Sequence, residues 1–81
     1  MFYTYVLKSK SNSKYYIGYS SDPKARLIAH NTGMVKATKN RGPWEIIFTE
    51  LFDSKKLAIQ REHQIKSWKS REAIERLLFS K

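Results

Sequence analysis

Residues 2–8 constrain the fold of this chain more than any other stretch. Phe2, Thr4 and Val6 fall on one side of an extended chain, and Tyr3, Tyr5 and Leu7 on the other. A period of two, rich in aromatic and β-branched residues, is the pattern of a β-strand. The next stretch, Lys8 to Lys14, is polar and centres on Ser11-Asn12-Ser13, which reads as a hairpin turn. Tyr15 to Ser20 then returns as a second strand, antiparallel to the first.

The signals change after that hairpin. Ser21-Asp22-Pro23 is a helix start: Ser or Asp accepts orphan backbone N–H groups, and Pro suits the first helical position. The helix is expected to run to about Asn31 and to stop before Gly33. Residues 33–43 carry Lys36, Lys39 and Arg41 beside Gly42 and Pro43, and are expected to form a mobile basic loop. Trp44 to Phe52 alternates again as a third strand. Asp53-Ser54 caps a second helix reaching Lys69, with an apolar stripe of Leu57, Ala58, Ile65 and Trp68. Ser70 caps a last helix that buries Ile74, Leu77 and Leu78. The order ββαβαα predicts an α+β fold, a small three-stranded antiparallel-type sheet flanked by helices. A length of 81 residues suits one domain over 1–81.

Charge narrows the partners. Sixteen Lys and Arg against seven Asp and Glu give a net charge of +9. Such an excess favours a polyanion, with plain solubility or an anionic membrane surface as the alternatives. No apolar run approaches the roughly 20 residues of a membrane span. The start of the chain, Met1 to Tyr5, lacks the pattern of a signal peptide. The absence of cysteine excludes disulfides and thiolate metal sites, and fits the cytoplasm. His30 and His63 are the two histidines, too few for a His-rich metal site. Gly18, Gly33 and Gly42 form no phosphate-binding fingerprint.

Three constellations carry chemistry. Arg26 and His30 are four apart and therefore neighbours on one helix face. An Arg there can grip a phosphate and a His can move a proton near neutral pH; the alternative is a solvated Arg and a capping His. Glu62 lies at the margin of the second helix's stripe, as a hard-cation ligand or as the ion-pair partner of Lys66. Arg61, nearer the middle of that stripe, either snorkels outward or pairs with a buried acid. Tyr3, Tyr5, Tyr15, Tyr16 and Tyr19 crowd the first two strands. They serve sheet packing, or one of them is a phenol poised to hold or deprotonate a water.

These landmarks occur in the order found in one family. The chain resembles the GIY-YIG nuclease domain, and most of all its small single-domain bacterial members. Tyr3-Thr4-Tyr5 stands at the first triplet and Tyr16-Ile17-Gly18 matches the second in full. Ala25 to Asn31 carries Arg26 and His30, and Ala58 to Glu62 carries the acid. The resemblance covers nearly the whole chain. It implies an endonuclease that hydrolyses DNA, with Arg26 on the scissile phosphate and Glu62 as the one protein ligand of Mg²⁺ or Mn²⁺. Tyr5 or His30 would help activate the attacking water, and Tyr16 would orient it or the phosphate. Structured, nicked or damaged DNA is the implied substrate, met in the cytoplasm and on the nucleoid, with a partner protein as a source of specificity. The alternative is a nucleic-acid-binding module that keeps the fold without cutting. Two departures stand out. Tyr3 and Thr4 replace the Gly and Ile of the first triplet, and no Asn follows Asn40, where longer members use one. Lys36, Lys39 and Arg41 are the candidate substitutes for phosphate binding.

Overall fold

The computed structural model describes residues 1–79 and bears out the ββαβαα order. Its strands are β1 (Phe2–Ser9), β2 (Tyr15–Ser20) and β3 (Trp44–Phe52). Its helices are α1 (Pro23–Asn31), α2 (Lys55–Ser67) and α3 (Arg71–Phe79). The sheet order is β2-β1-β3, and β1 pairs antiparallel with both neighbours. The first strand is therefore central and covered on both faces, which its double-sided apolar pattern requires.

The alternation of β1 separates two cores. Val6 packs with Ile17, Phe48, Ile65 and Ile74 on the side of α2 and α3. Tyr5 and Leu7 pack with Trp44 on the other side, where Leu27 of α1 and Tyr16 join them. The β1–β3 register shifts between Val6 and Leu7, so Ile47 is the extra residue of a bulge. Ile46 consequently packs with Leu7 while Ile47 and Phe48 both serve the opposite core.

The helix starts follow the cap residues. The Asp22 side chain accepts from the Ala25 backbone N–H, and Ser54 accepts from Leu57. Helix α2 stops at Ser67 rather than Lys69, because Lys69 takes a left-handed φ of 47° and turns the chain into α3. The expected stripe of α2 is also shifted. Leu57 is 45% exposed, while Ala58, Glu62 and Ile65 form the buried face. That i, i+4, i+7 row carries an acid into the protein. Arg61 pairs with Glu50, its Nε 2.8 Å from the carboxylate, and lies over the Trp68 ring.

The segment expected to move freely is tied down. It contains a 3₁₀ turn, Lys36–Thr38, and Thr38 is buried. The Trp44 indole N–H donates to the Thr38 carbonyl at 3.2 Å. Asn31 accepts from the Trp44 backbone N–H at 2.7 Å and returns a bond to its carbonyl at 3.1 Å. The Ser9 hydroxyl donates to the Arg41 carbonyl at 2.6 Å.

Thr4, one of the two departures in the first triplet, has a structural role. Its buried hydroxyl donates to the Ala58 carbonyl of α2 at 2.8 Å, one turn before Glu62. A branched aliphatic side chain would fill the same space and leave α2 without that tether. Thr4→Val is expected to cost about 1 kcal/mol, the net worth of one buried hydrogen bond. Urea unfolding would measure it, and unchanged stability would show that α2 is held by packing alone.

Candidate active site

The sheet and the two helix layers bring four of the five expected side chains to one pocket. This pocket, of about 320 Å³, is lined by Tyr5, Tyr16, Gly18, Arg26 and Glu62, with Tyr19 and Ser20 at its rim. Five of these come from the paired strands, where Tyr5 of β1 lies opposite Gly18 of β2. Arg26 reaches in from α1 and Glu62 from α2, on either side of the β2 edge.

Gly18 makes the central contact possible. A Cβ at Gly18 would stand 2.6 Å from the Tyr5 hydroxyl and 2.7 Å from its Cζ, well inside van der Waals contact. The Tyr5 ring therefore packs close on this bare backbone and lines the pocket. Glycine here serves close approach rather than an unusual φ.

Tyr5 is 1% exposed. Burial pushes its phenol up to about 12; the Tyr16 hydroxyl and the Glu62 carboxylate add to the rise, and the Arg26 guanidinium opposes it. Its hydroxyl is 2.9 Å from His30 Nε2. His30 Nδ1 is 2.7 Å from the Thr38 hydroxyl, which itself donates to the Val35 carbonyl. With its own hydrogen so used, Thr38 accepts from Nδ1–H. Nε2 is then the bare nitrogen, and Tyr5 donates to it. This tautomer is assigned from the hydrogen-bond chain. Burial and the nearby Arg26 charge lower the imidazole to about 4, so His30 is neutral at pH 7.

His30 therefore stands behind Tyr5 instead of in the pocket. It is 2% exposed, and its ring meets the edge of Tyr16 with centroids 4.9 Å apart. Thr38, which orients it, was not legible in the sequence: it lies eight residues away in a loop with no periodic signal. Lys39 lines a separate hollow on the far side of His30. Lys36 and Arg41 are exposed on the same tethered loop.

Glu62 is 8% exposed, yet its charge partners are loose. Among the described residues they are the His63 ring and the Lys66 ammonium, each at 3.6 Å. Among the described residues no group of three or more His, Asp or Glu could hold a metal ion. A single buried carboxylate facing an open polar pocket still fits Mg²⁺ or Mn²⁺, since hard cations of this kind keep waters and take further oxygens from a bound phosphate.

Fold and site together define a class, and comparison with known proteins agrees. Residues 1–75 match the GIY-YIG catalytic domain, and the chain belongs to that family. The family is one of nucleases, which gives the chain a nuclease-type function on nucleic acid. More particularly, the chain is similar to the UPF0213 proteins. It is 46% identical over 77 residues to one from Natronomonas pharaonis, covering 94% of this chain and 88% of that protein. It is 42% identical over 67 residues to one from Staphylococcus saprophyticus, covering 82% of this chain and 80% of that protein. The solution NMR structure of a UPF0213 protein from Bacillus halodurans superposes with a TM-score of 0.63 at 35% identity. That match covers 100% of this chain and 86% of the other. Among the described residues no helix is long and apolar enough to cross a membrane.

The packing of Tyr5 on Gly18 yields a direct prediction. Gly18→Ala should cost about 1–3 kcal/mol, the usual penalty for overpacking. Tyr5→Phe in the same background should recover part of it by removing the oxygen nearest the new methyl. A double-mutant cycle by urea unfolding reads the coupling, and additive effects would show that the ring is not pressed on residue 18.

Proposed function

We propose that the protein is a divalent-metal-dependent DNA endonuclease that hydrolyses one phosphodiester bond at the Tyr5–Arg26–Glu62 pocket. The observation that carries this reading is the convergence of a phenol, a guanidinium and a carboxylate from three elements on one small polar pocket. Glu62 holds the Mg²⁺ or Mn²⁺ ion, which when bound supplies positive charge against the phosphate and its leaving oxygen. Arg26 grips a non-bridging phosphate oxygen and stabilises the charge that grows on it during attack.

Tyr5 is the general base in this reading, and His30 is its positioning residue. His30 Nε2 takes the phenol hydrogen away from the pocket and leaves the oxygen lone pairs facing it. Burial above all, then Tyr16 and Glu62, holds the phenol up and keeps the phenolate scarce at neutral pH. Neutralising Glu62 removes one of the charges that raise the phenol, while burial and Tyr16 still hold it up, so the phenolate is a fraction that grows with pH as the phenol proton leaves to solvent. The Tyr5 phenolate, its own proton already lost to solvent, takes a proton from the attacking water. The water oxygen bonds to phosphorus as the bond to the leaving sugar oxygen breaks, and that oxygen is protonated from solvent. Tyr16, at the pocket wall beside Lys66, orients that water or the phosphate.

None of these groups reads a base edge. Selectivity then comes from backbone shape, which favours structured, nicked or damaged DNA. Lys36, Lys39 and Arg41 add phosphate contacts from the loop on the α1 side.

Supercoiled plasmid incubated with Mg²⁺, Mn²⁺ or EDTA tests the proposal. Nicking should need metal, and Arg26→Ala or Glu62→Ala should lower it by about a hundredfold or more, the scale of losing a charge stabiliser in a transition state. Nicking that survives both substitutions would remove the site, and DNA binding without cutting under either metal would favour a non-cleaving module. The pH profile separates the two bases. A phenol raised above its ordinary value gives a rate climbing about tenfold per pH unit from pH 6 to 9. His30 as base, lowered to about 4, would already be deprotonated and give a flat profile over that range.

A further inference from the structure

Strand β2 is an edge of the sheet, and two concave surfaces lie along it. The catalytic pocket occupies its Gly18–Ser20 end. Towards Tyr15 a second groove of about 320 Å³ is lined by Lys14 from the β1–β2 turn, Lys66 and Lys69 from the end of α2, and Arg71 from the start of α3. Among the described residues its lining holds these four cations and no carboxylate, beside the apolar Ile17, Ile65 and Ile74, with Glu75 close by on Arg71 and Tyr15. Lys66 joins the two surfaces, since its ammonium is 3.6 Å from Glu62 and 6.0 Å from the Tyr16 ring centroid.

The cations are held differently. Arg71 is fixed: its guanidinium lies 4.8 Å from the Tyr15 ring centroid, donates to the Ser13 carbonyl at 2.7 Å and pairs with Glu75 at 3.3 Å. Lys14 and Lys69 have no ion-pair partner among the described residues, and both are exposed. Lys69 is the sharper case. It occupies the left-handed position that ends α2, with φ 47°, where glycine would sit without steric strain. The helix stop alone therefore does not require a lysine there. Like charges gathered on a concave wall concentrate a positive potential that a polyanion relieves.

We propose that this groove is a second phosphate-binding site that holds the DNA backbone beside the bond to be cut, with Lys66 shared between the two. The proposal rests on the nuclease reading above and extends it to the track of the substrate strand. Three residues of extended chain separate Tyr15 from Gly18, about 10 Å. That is about the rise of three base-pair steps along a duplex axis, at about 3.4 Å each.

The test is binding of a fluorescent duplex in EDTA, by anisotropy over a series of salt concentrations, with nicking in Mg²⁺ followed separately. Lys69→Gly and Lys14→Gln should each weaken binding about three- to tenfold and lower the salt slope by about 1, the mark of one lost phosphate contact. Lys56→Gln, on another part of α2, is the control and should change neither. Lys69→Gly should also melt at the wild-type temperature or above it, because glycine relieves the left-handed backbone. Loss of affinity without loss of stability is an outcome that a merely structural lysine does not give. Wild-type affinity and slope in both groove variants would overturn the proposal, as would an equal loss in Lys56→Gln or no binding by the wild type. Cutting by a protein whose groove variants bind normally would leave the nuclease reading and remove the groove. Groove-dependent binding with no cutting would do the reverse.

Discussion

The Tyr5 ring lies across the bare backbone of Gly18, and the rest of the site takes its geometry from that contact. Pairing of β1 with β2 puts the two residues opposite each other, and the missing Cβ lets the ring settle onto the sheet. The settled ring directs its hydroxyl to His30 on one side and leaves the pocket above it for Arg26 and Glu62. A side chain at residue 18 would lift the phenol, break its bond to His30 and narrow the pocket in one step.

The electrostatics are built on the same burial. Removing Tyr5 and His30 from water disfavours a charge on either, so the pair rests neutral, a phenol donating to a bare imidazole nitrogen. Arg26 and Glu62 act on the phenol with opposite sign. Burial sets the proton affinity of the phenol, and the two charges of the pocket adjust it in opposite directions. Lys66 holds that carboxylate loosely from the groove side, at a distance longer than a hydrogen bond.

Much of this was legible in the residues, for identifiable reasons. The two-sided alternation of Phe2 to Leu7 carried the central strand, and Asp22-Pro23 and Ser54 marked the helix starts where the caps form. The five proposed site residues came from spacing and resemblance, and four of them share the pocket. Long-range side-chain bonds were not legible. The Thr38 hydroxyl that sets the His30 tautomer, the Asn31 clasp on Trp44 and the Thr4 tether on α2 join residues with no shared periodicity. The first two turned an expected mobile loop into a fastened one. The stripe of α2 was misjudged at Leu57 for a related reason. Hydrophobicity placed Leu57 inward and Glu62 at the margin, whereas the packing of α2 beside the β2 edge turns Glu62 into the protein.

The ionisation of Tyr5 is the most direct measure of how the site works. NMR of protein labelled at tyrosine Cζ, titrated with and without Mg²⁺, reads that group alone once Tyr5→Phe has assigned its signal. The metal-free protein should show Tyr5 ionising near 12. Added Mg²⁺ should lower that value in the wild type and leave it unmoved in Glu62→Gln. A Tyr5 that ionises at the ordinary tyrosine value of about 10 and ignores Mg²⁺ would contradict the account.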